Sequence, residues 1–228
     1  GTLARRIVVV DAGHGGPDAG MRGPLRGGPA VLEKDVTLAV SLALREALRE
    51  RGVGVVMTRT RDTLIALADR GRIANQQKGD LFVSIHVNAA NPAWRDPAGA
   101  RGFETYFLSE AKTEDDRRVA ELENESVRFE GGSGPQDPLG FLLRDMAQNE
   151  HLRESNRLAT LVQRRLGRVH PGPSRGVKQA GFRVLVSAFM PAVLVEVGFG
   201  SNAAEAAWLA SDAGQRAIAD AIADAAVE

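Results

Sequence analysis

Apolar runs alternate along this chain with stretches of helical period, and that alternation predicts its elements. Ile7-Val8-Val9-Val10 is a continuous apolar run and reads as a buried strand; the Gly- and Pro-rich residues 13–30 that follow read as a long loop over its carboxyl end. Val36, Val40, Ala43, Leu44, Ala47 and Leu48 recur at helical spacing, with Gly52 where a C-terminal cap belongs, so 34–51 is an amphipathic helix. Further strands are expected at 53–58, 81–85, 102–108 and 191–197, with helical character over 64–77, 142–166 and the alanine-rich 212–227. Strands alternating with helices predict an α/β three-layer sandwich, with a mostly parallel or mixed central sheet of about six strands between helical layers and its site at strand ends.

Residues 110–150 stand apart. The charged stretch 110–130 has the length of a helix, Gly131-Gly132-Ser133-Gly134-Pro135 breaks it, and an amphipathic pattern resumes only near 142. This reads as an insertion into a single domain spanning 1–228, since no repeat, heptad array or low-complexity tract divides the chain.

Composition narrows the chemistry. Lys+Arg and Asp+Glu both number 29, so no basic field draws a nucleic acid. No apolar stretch approaches the roughly 20 residues of a transmembrane helix, and no signal peptide is legible at Gly1. Cysteine is absent, which excludes disulfides and thiolate metal sites and leaves the compartment open.

Two of only four histidines, His14 and His86, each stand at the end of an apolar strand, and such a pair reads as two ligands of one metal. A catalytic zinc takes three protein ligands, His nitrogens with a carboxylate, and Glu33, where the Gly-rich loop enters a helix, is the third candidate. Taken singly, a strand-end His is more often a hydrogen-bonding or exposed residue, and Glu33 would simply favour a helix N-terminus. Glu196 lies within Val193-Leu194-Val195-Glu196-Val197, where an ionised carboxylate is costly to bury without a partner. It either faces solvent or pairs with an arginine such as Arg183, or it is a general base that takes a proton from water and returns it to a leaving nitrogen.

Asp11 to Gly16, Glu33-Lys34-Asp35, Ser84-Ile85-His86-Val87-Asn88, Gly102-Phe103-Glu104-Thr105-Tyr106, Gly176 to Ala180 and Leu194 to Asn202 resemble, in order, the catalytic domain of zinc-dependent N-acetylmuramoyl-L-alanine amidases of the cell-division type. The resemblance implies one Zn2+ held by His14, Glu33 and His86, with Glu196 as catalytic acid/base. It further implies hydrolysis of the amide between N-acetylmuramic acid and the L-alanine of the peptidoglycan stem, for septal wall splitting. Asp11 and Asn88 are expected to orient the ligands or form turns, and Asn88, Arg175 and Lys178 to meet the substrate. A periplasmic or other extracytoplasmic location, a preceding signal peptide and wall-targeting domain, and a division-associated activator protein are implied in the same way.

Related division amidases cover the zinc with an inserted helix, one glutamate taking the open coordination position. Here Glu114, Glu121 and Glu125, seven and four residues apart, share one helical stripe, with Val119, Leu122 and Phe129 as an apolar contact surface, and Glu114 leads an Asp-Asp-Arg-Arg run. One of these three is expected to reach the metal; without the resemblance the stripe is a solvated acidic face. His151 and His170 read as structural or surface residues. A dinucleotide-binding loop fails on spacing, because Asp18 stands where the third glycine of that fingerprint belongs. A zinc peptidase and a noncatalytic wall-binding scaffold remain as rivals.

Overall fold

The computed structural model describes residues 6–130 and 151–228. Its main sheet has six strands: β1 (Ile7–Ala12), β4 (Gly54–Met57), β5 (Leu81–Asn88), β6 (Phe103–Leu108), β7 (Ser174–Ala180) and β8 (Ala192–Phe199), in the order β4-β1-β5-β8-β6-β7. The first four in that order run parallel, β6 is antiparallel to β8, and β7 is parallel to β6. The sheet is therefore mixed, as the alternating pattern anticipates. Two short strands, β2 (Arg22–Gly23) and β3 (Val31–Leu32), pair within the long Gly-rich loop.

Alternate residues of each strand enter different cores. On one face Val8, Val10, Val83, Ile85, Val193, Val195 and Val197 pack under α1 (Glu33–Glu50), α4 (Leu152–Leu166), α6 (Ala203–Leu209) and α7 (Asp212–Val227). On the other, Val9, Phe82, Tyr106, Leu108 and Leu194 pack under α2 (Leu67–Gln76), α3 (Glu114–Asn124) and the short α5 (Arg183–Val186). Burial on both faces is why β1 and the centre of β8 read as unbroken apolar runs.

That second face changes character toward the rim where β1, β5 and β8 end. Continuing the same alternation, Asp11, Ser84, His86, Asn88, Glu196 and Glu104 replace the apolar residues, all buried. A sheet face that is apolar at one end and polar at the other is a site with a floor. Over it lie α3 and a 3₁₀ turn, Glu125–Phe129, the described part of the expected insertion. The rest of that segment, including the Gly-Ser-Pro break and the start of the 142–166 pattern, lies outside the described residues.

One strand escapes the periodic reading. β7 carries Ser-Arg-Gly-Val-Lys-Gln-Ala at the sheet edge and is mostly half-buried, so it shows no apolar signal.

Candidate metal centre and catalytic site

His14 follows β1 and takes a positive φ of 59°, a conformation sparsely populated for a residue with a Cβ and therefore one its surroundings must enforce. Its Nδ1 donates to Asp18 Oδ2 at 2.9 Å, which turns Nε2 inward. His86, in β5, presents Nδ1 to the same point. Gly13 makes this close packing feasible, since a Cβ there would lie 2.6 Å from His86 Nε2. Glu33 opens the first turn of α1 and is fully buried, with Oε1 accepting from Val87 N and Oε2 from Met21 N, both at 2.8 Å. Its Oε1 stands 3.1 Å from His14 Nε2 and 3.2 Å from His86 Nδ1.

A fourth group completes the cluster, and it is Glu123. From the last turn of α3 its Oε2 reaches within 3.0 Å of His14 Nε2 and 2.6 Å of His86 Nδ1. One donor atom from each of His14, Glu33, His86 and Glu123 lies within 4.8 Å of the others. His14 Nε2, His86 Nδ1 and Glu123 Oε2 are buried without a hydrogen-bond partner. Two imidazole nitrogens and two carboxylate oxygens converge, all but the Glu33 oxygen without a hydrogen bond, and form the donor set of a borderline divalent cation such as zinc. Toward protons alone, burial opposes charge on the imidazoles, but the facing Glu123 and Glu33 carboxylates outweigh it and lift His86 to about 10.

Glu196 is the register neighbour of His86 on the adjacent parallel strand and faces the same side of the sheet. It is fully buried and neither carboxylate oxygen has a hydrogen-bond partner. Burial, then the nearby Glu123 charge, raises its pKa well above the usual carboxylate range. Across β8, its antiparallel neighbour Glu104 is the reverse case, accepting from Asn88 Nδ2, Tyr106 Oη, Arg175 Nε and Lys178 Nζ. One carboxylate is clothed and the other bare.

The sequence-derived set thus assembles as His14, Glu33, His86 and Glu196, with Asn88, Arg175 and Lys178 gathered beside it on Glu104. The insertion glutamates require correction. Glu114 is 87% exposed and pairs with Arg117, Glu125 is 55% exposed and pairs with Arg128, and Glu121 is exposed. Their stripe is the solvated face of α3. Positions 116, 119, 120 and 123 make the opposite stripe, where Asp116, Val119 and Ala120 are buried. The usable signal was the glutamate four residues beyond Val119, on the apolar stripe.

Two further corrections concern the supporting groups. Asp11 touches neither imidazole; it accepts from Thr58, Ser84 and the buried Arg70, whose guanidinium also binds the carbonyls of Ala12 and His14 and so fixes the loop. Asp18, which the sequence reading did not single out, orients His14. His170 is structural, its ring between Phe103 and Trp208 and its Nε2 on Val197 O. Arg183 does not pair with Glu196.

Fold and site together define an α/β sandwich built around a candidate cation centre at the strand ends. Residues 8–228 match the family described as N-acetylmuramoyl-L-alanine amidase, and the chain belongs to that family. It is 36% identical to N-acetylmuramoyl-L-alanine amidase AmiA of Escherichia coli (strain K12) over 225 residues, covering 96% of this chain and 74% of the relative. It is 35% identical to AmiC of Neisseria meningitidis serogroup B over 96% of this chain, which spans 51% of that protein. Among solved structures, the catalytic domain of CwlV from Bacillus (Paenibacillus) polymyxa superposes with a TM-score of 0.71 at 28% identity, over 97% of this chain and 96% of that one.

Proposed function

We propose that this chain is one catalytic unit that hydrolyses the amide between the lactyl group of N-acetylmuramic acid and the stem L-alanine of peptidoglycan, using one zinc ion held by His14, Glu33 and His86. The observation that carries this reading is the convergence of three buried, hydrogen-bond-free donor atoms beside an unpartnered Glu196. Such an ion, when bound, supplies Lewis-acid polarisation of the scissile carbonyl and acidifies water at its open position. Asp18 holds the His14 ring with Nε2 inward, and two backbone N–H groups hold Glu33. Glu196, starting as the carboxylate, takes the proton of the attacking water at a carboxylate oxygen, becomes the neutral acid that its burial favours, and returns that proton to the leaving alanine nitrogen.

Glu123 supports an autoinhibited state, its carboxylate occupying the position that water or substrate carbonyl needs. Activation then requires α3 to lift, the task of a division-associated partner at the septum, and the substrate puts the enzyme in the periplasm or an equivalent extracytoplasmic space. No helix among the described residues is long and apolar enough to cross a membrane.

The test is metal analysis with digestion of purified peptidoglycan, comparing the intact chain with Glu123→Ala and Glu196→Gln. One zinc per chain, stem peptides released with L-alanine at their amino end, faster release by Glu123→Ala, and a zinc-loaded but inactive Glu196→Gln are expected. Shortened peptides as product would instead make this a zinc peptidase. Zinc binding without turnover, even in Glu123→Ala, would make it a wall-binding scaffold.

A further inference from the structure

The polar floor does not stop at Glu196. Continuing outward across the strands it runs through Glu104 on β6 to Arg175 and Lys178 on β7, and α3 covers it along this line. Buried Glu104 carries one negative charge but faces two cations, Arg175 Nε at 3.1 Å and Lys178 Nζ at 2.6 Å. The surplus positive charge is met by α3 itself, whose Asp116 Oδ1 stands 3.3 Å from Lys178 Nζ and makes no hydrogen bond. When α3 leaves, Glu104 is the one carboxylate left in ion-pair contact with the two cations, and Lys178, which has no other such partner among the described residues, can take an incoming carboxylate.

We propose that Lys178 receives a free carboxylate of the substrate's peptide stem, two or three residues beyond the scissile amide, and that Asp116 keeps this place while α3 is down. The inference rests on the amidase and autoinhibition readings above and deepens them: α3 then copies the substrate at two points, Glu123 at the reacting end and Asp116 at the stem. The spacing agrees. Asp116 and Glu123 are seven residues apart on one helix face, about 10.5 Å at 1.5 Å per residue. Lys178 lies two strands across from Glu196 and two residues along, because its partner Tyr106 pairs with Leu194; this is about 12 Å at 4.8 Å per strand and 3.3 Å per residue, within reach of the long lysine side chain. An extended stem places its second and third residues about 7 and 10 Å from the amide.

The experiment uses three synthetic N-acetylmuramoyl tetrapeptides: one with free carboxylates on its second and third residues, and two in which one or the other is a carboxamide. With zinc-loaded Glu123→Ala, one carboxamide is expected to raise KM roughly tenfold while kcat stays within about twofold, as loss of a charge-assisted hydrogen bond predicts. Lys178→Met abolishes that discrimination and Lys178→Arg keeps it, which separates lost recognition from lost folding. By calorimetry, Asp116→Asn with Glu123 intact binds the diacid peptide at least about threefold more tightly than the parent chain, because the competing carboxylate is gone.

Equal KM for all three peptides overturns the proposal, as does discrimination that survives Lys178→Met. Unchanged binding by Asp116→Asn overturns the placeholder role. If Glu123→Ala is no faster than the parent, autoinhibition fails instead, and the KM ratios measured on the parent still decide the role of Lys178. No cleavage of any peptide by any variant overturns the amidase reading and this inference with it.

Discussion

Two carboxylates meet on the same pair of imidazoles, and they arrive from opposite layers of the molecule. Glu33 comes from α1, whose Val36, Val40, Leu44 and Leu48 are buried on the sheet, and both its oxygens are tied to backbone N–H groups of other segments. Glu123 comes from α3, where Val119 is the one large apolar side chain buried, and its Oε2 meets only the histidines. At about 1.5–3 kcal/mol for each fully buried Val or Leu, the four anchors of α1 contribute several times what α3 draws from Val119. Much of the remaining hold on α3 and the turn after it is polar: Asp116 on Lys178, Arg118 on Ala89 O, Asn124 on Gly181 O and Arg183 N, and Ser126 of the turn on Asp18. The two groups are alike as donors and differ in what fastens them, which is why we propose that one is part of the centre and the other can leave.

The sharpest way to break this comparison is to delete each carboxylate in turn. Glu33→Ala is expected to lower zinc affinity by more than the 10–100-fold typical of losing a supporting group, and to abolish turnover. Glu123→Ala is expected to raise turnover severalfold at little cost in affinity. Chelator competition and peptidoglycan digestion measure the two effects, and equal losses in both variants would make Glu123 an ordinary ligand. The anchors differ in the same sense. Leu44→Ala should destabilise the protein by about 2–5 kcal/mol in urea unfolding. Val119→Ala should cost about 1–2 kcal/mol and raise basal activity; a Val119→Ala as damaging as Leu44→Ala would show α3 to be structural.

The Asp18 carboxylate touches both layers, accepting from His14 Nδ1 and Ser126 Oγ at 2.9 and 2.7 Å. Burial would raise its pKa, but the His14 contact followed by Ser126 and Gly20 holds it at about 2, against 3.8 for an ordinary aspartate. The stability it contributes is therefore complete above the ordinary carboxylate range and is lost as pH falls through about 2. Asp18→Asn should lower zinc affinity about 10–100-fold near neutral pH. Its stability deficit should shrink as the pH falls from about 4 to 2; a deficit constant over that range would mean that the Asp18 charge does nothing there.

The parts of this arrangement that the sequence discloses are those with a period. β1, β5 and β8 announce themselves by apolar runs, and the ends of those runs locate His14, His86 and Glu196. The ordered motifs then bring in Glu33, which lies on no strand. β7 is hidden because an edge strand half open to solvent needs no apolar alternation, although it holds both cations of the stem side. Asp18 is hidden for another reason: a polar residue in a Gly-rich loop looks the same whether it shapes a turn or orients an imidazole, and only the loop's path decides. In the insertion the period was present but was followed along the wrong face. Charge drew attention to Glu114, Glu121 and Glu125, whereas a residue that must enter a buried centre has to share a stripe with what is buried, as Glu123 does with Val119 and Ala120.

That distinction between faces yields the smallest effect and the most selective control. Glu114 and Glu121 on α3, with Glu125 at the start of the 3₁₀ turn, make one exposed stripe, two of them in i,i+3 pairs with arginines on the same surface. Exposed pairs of this kind contribute about 0–1 kcal/mol. Changing all three to Gln should leave zinc affinity and basal turnover within about twofold of the parent and move the unfolding midpoint only slightly. The triple variant removes more negative charge from the helix than Glu123→Gln does, so a general electrostatic effect of α3 on the centre would make it the stronger activator. If Glu123→Gln alone activates, what closes the site is the position of one carboxylate on the buried stripe and not the acidity of the helix.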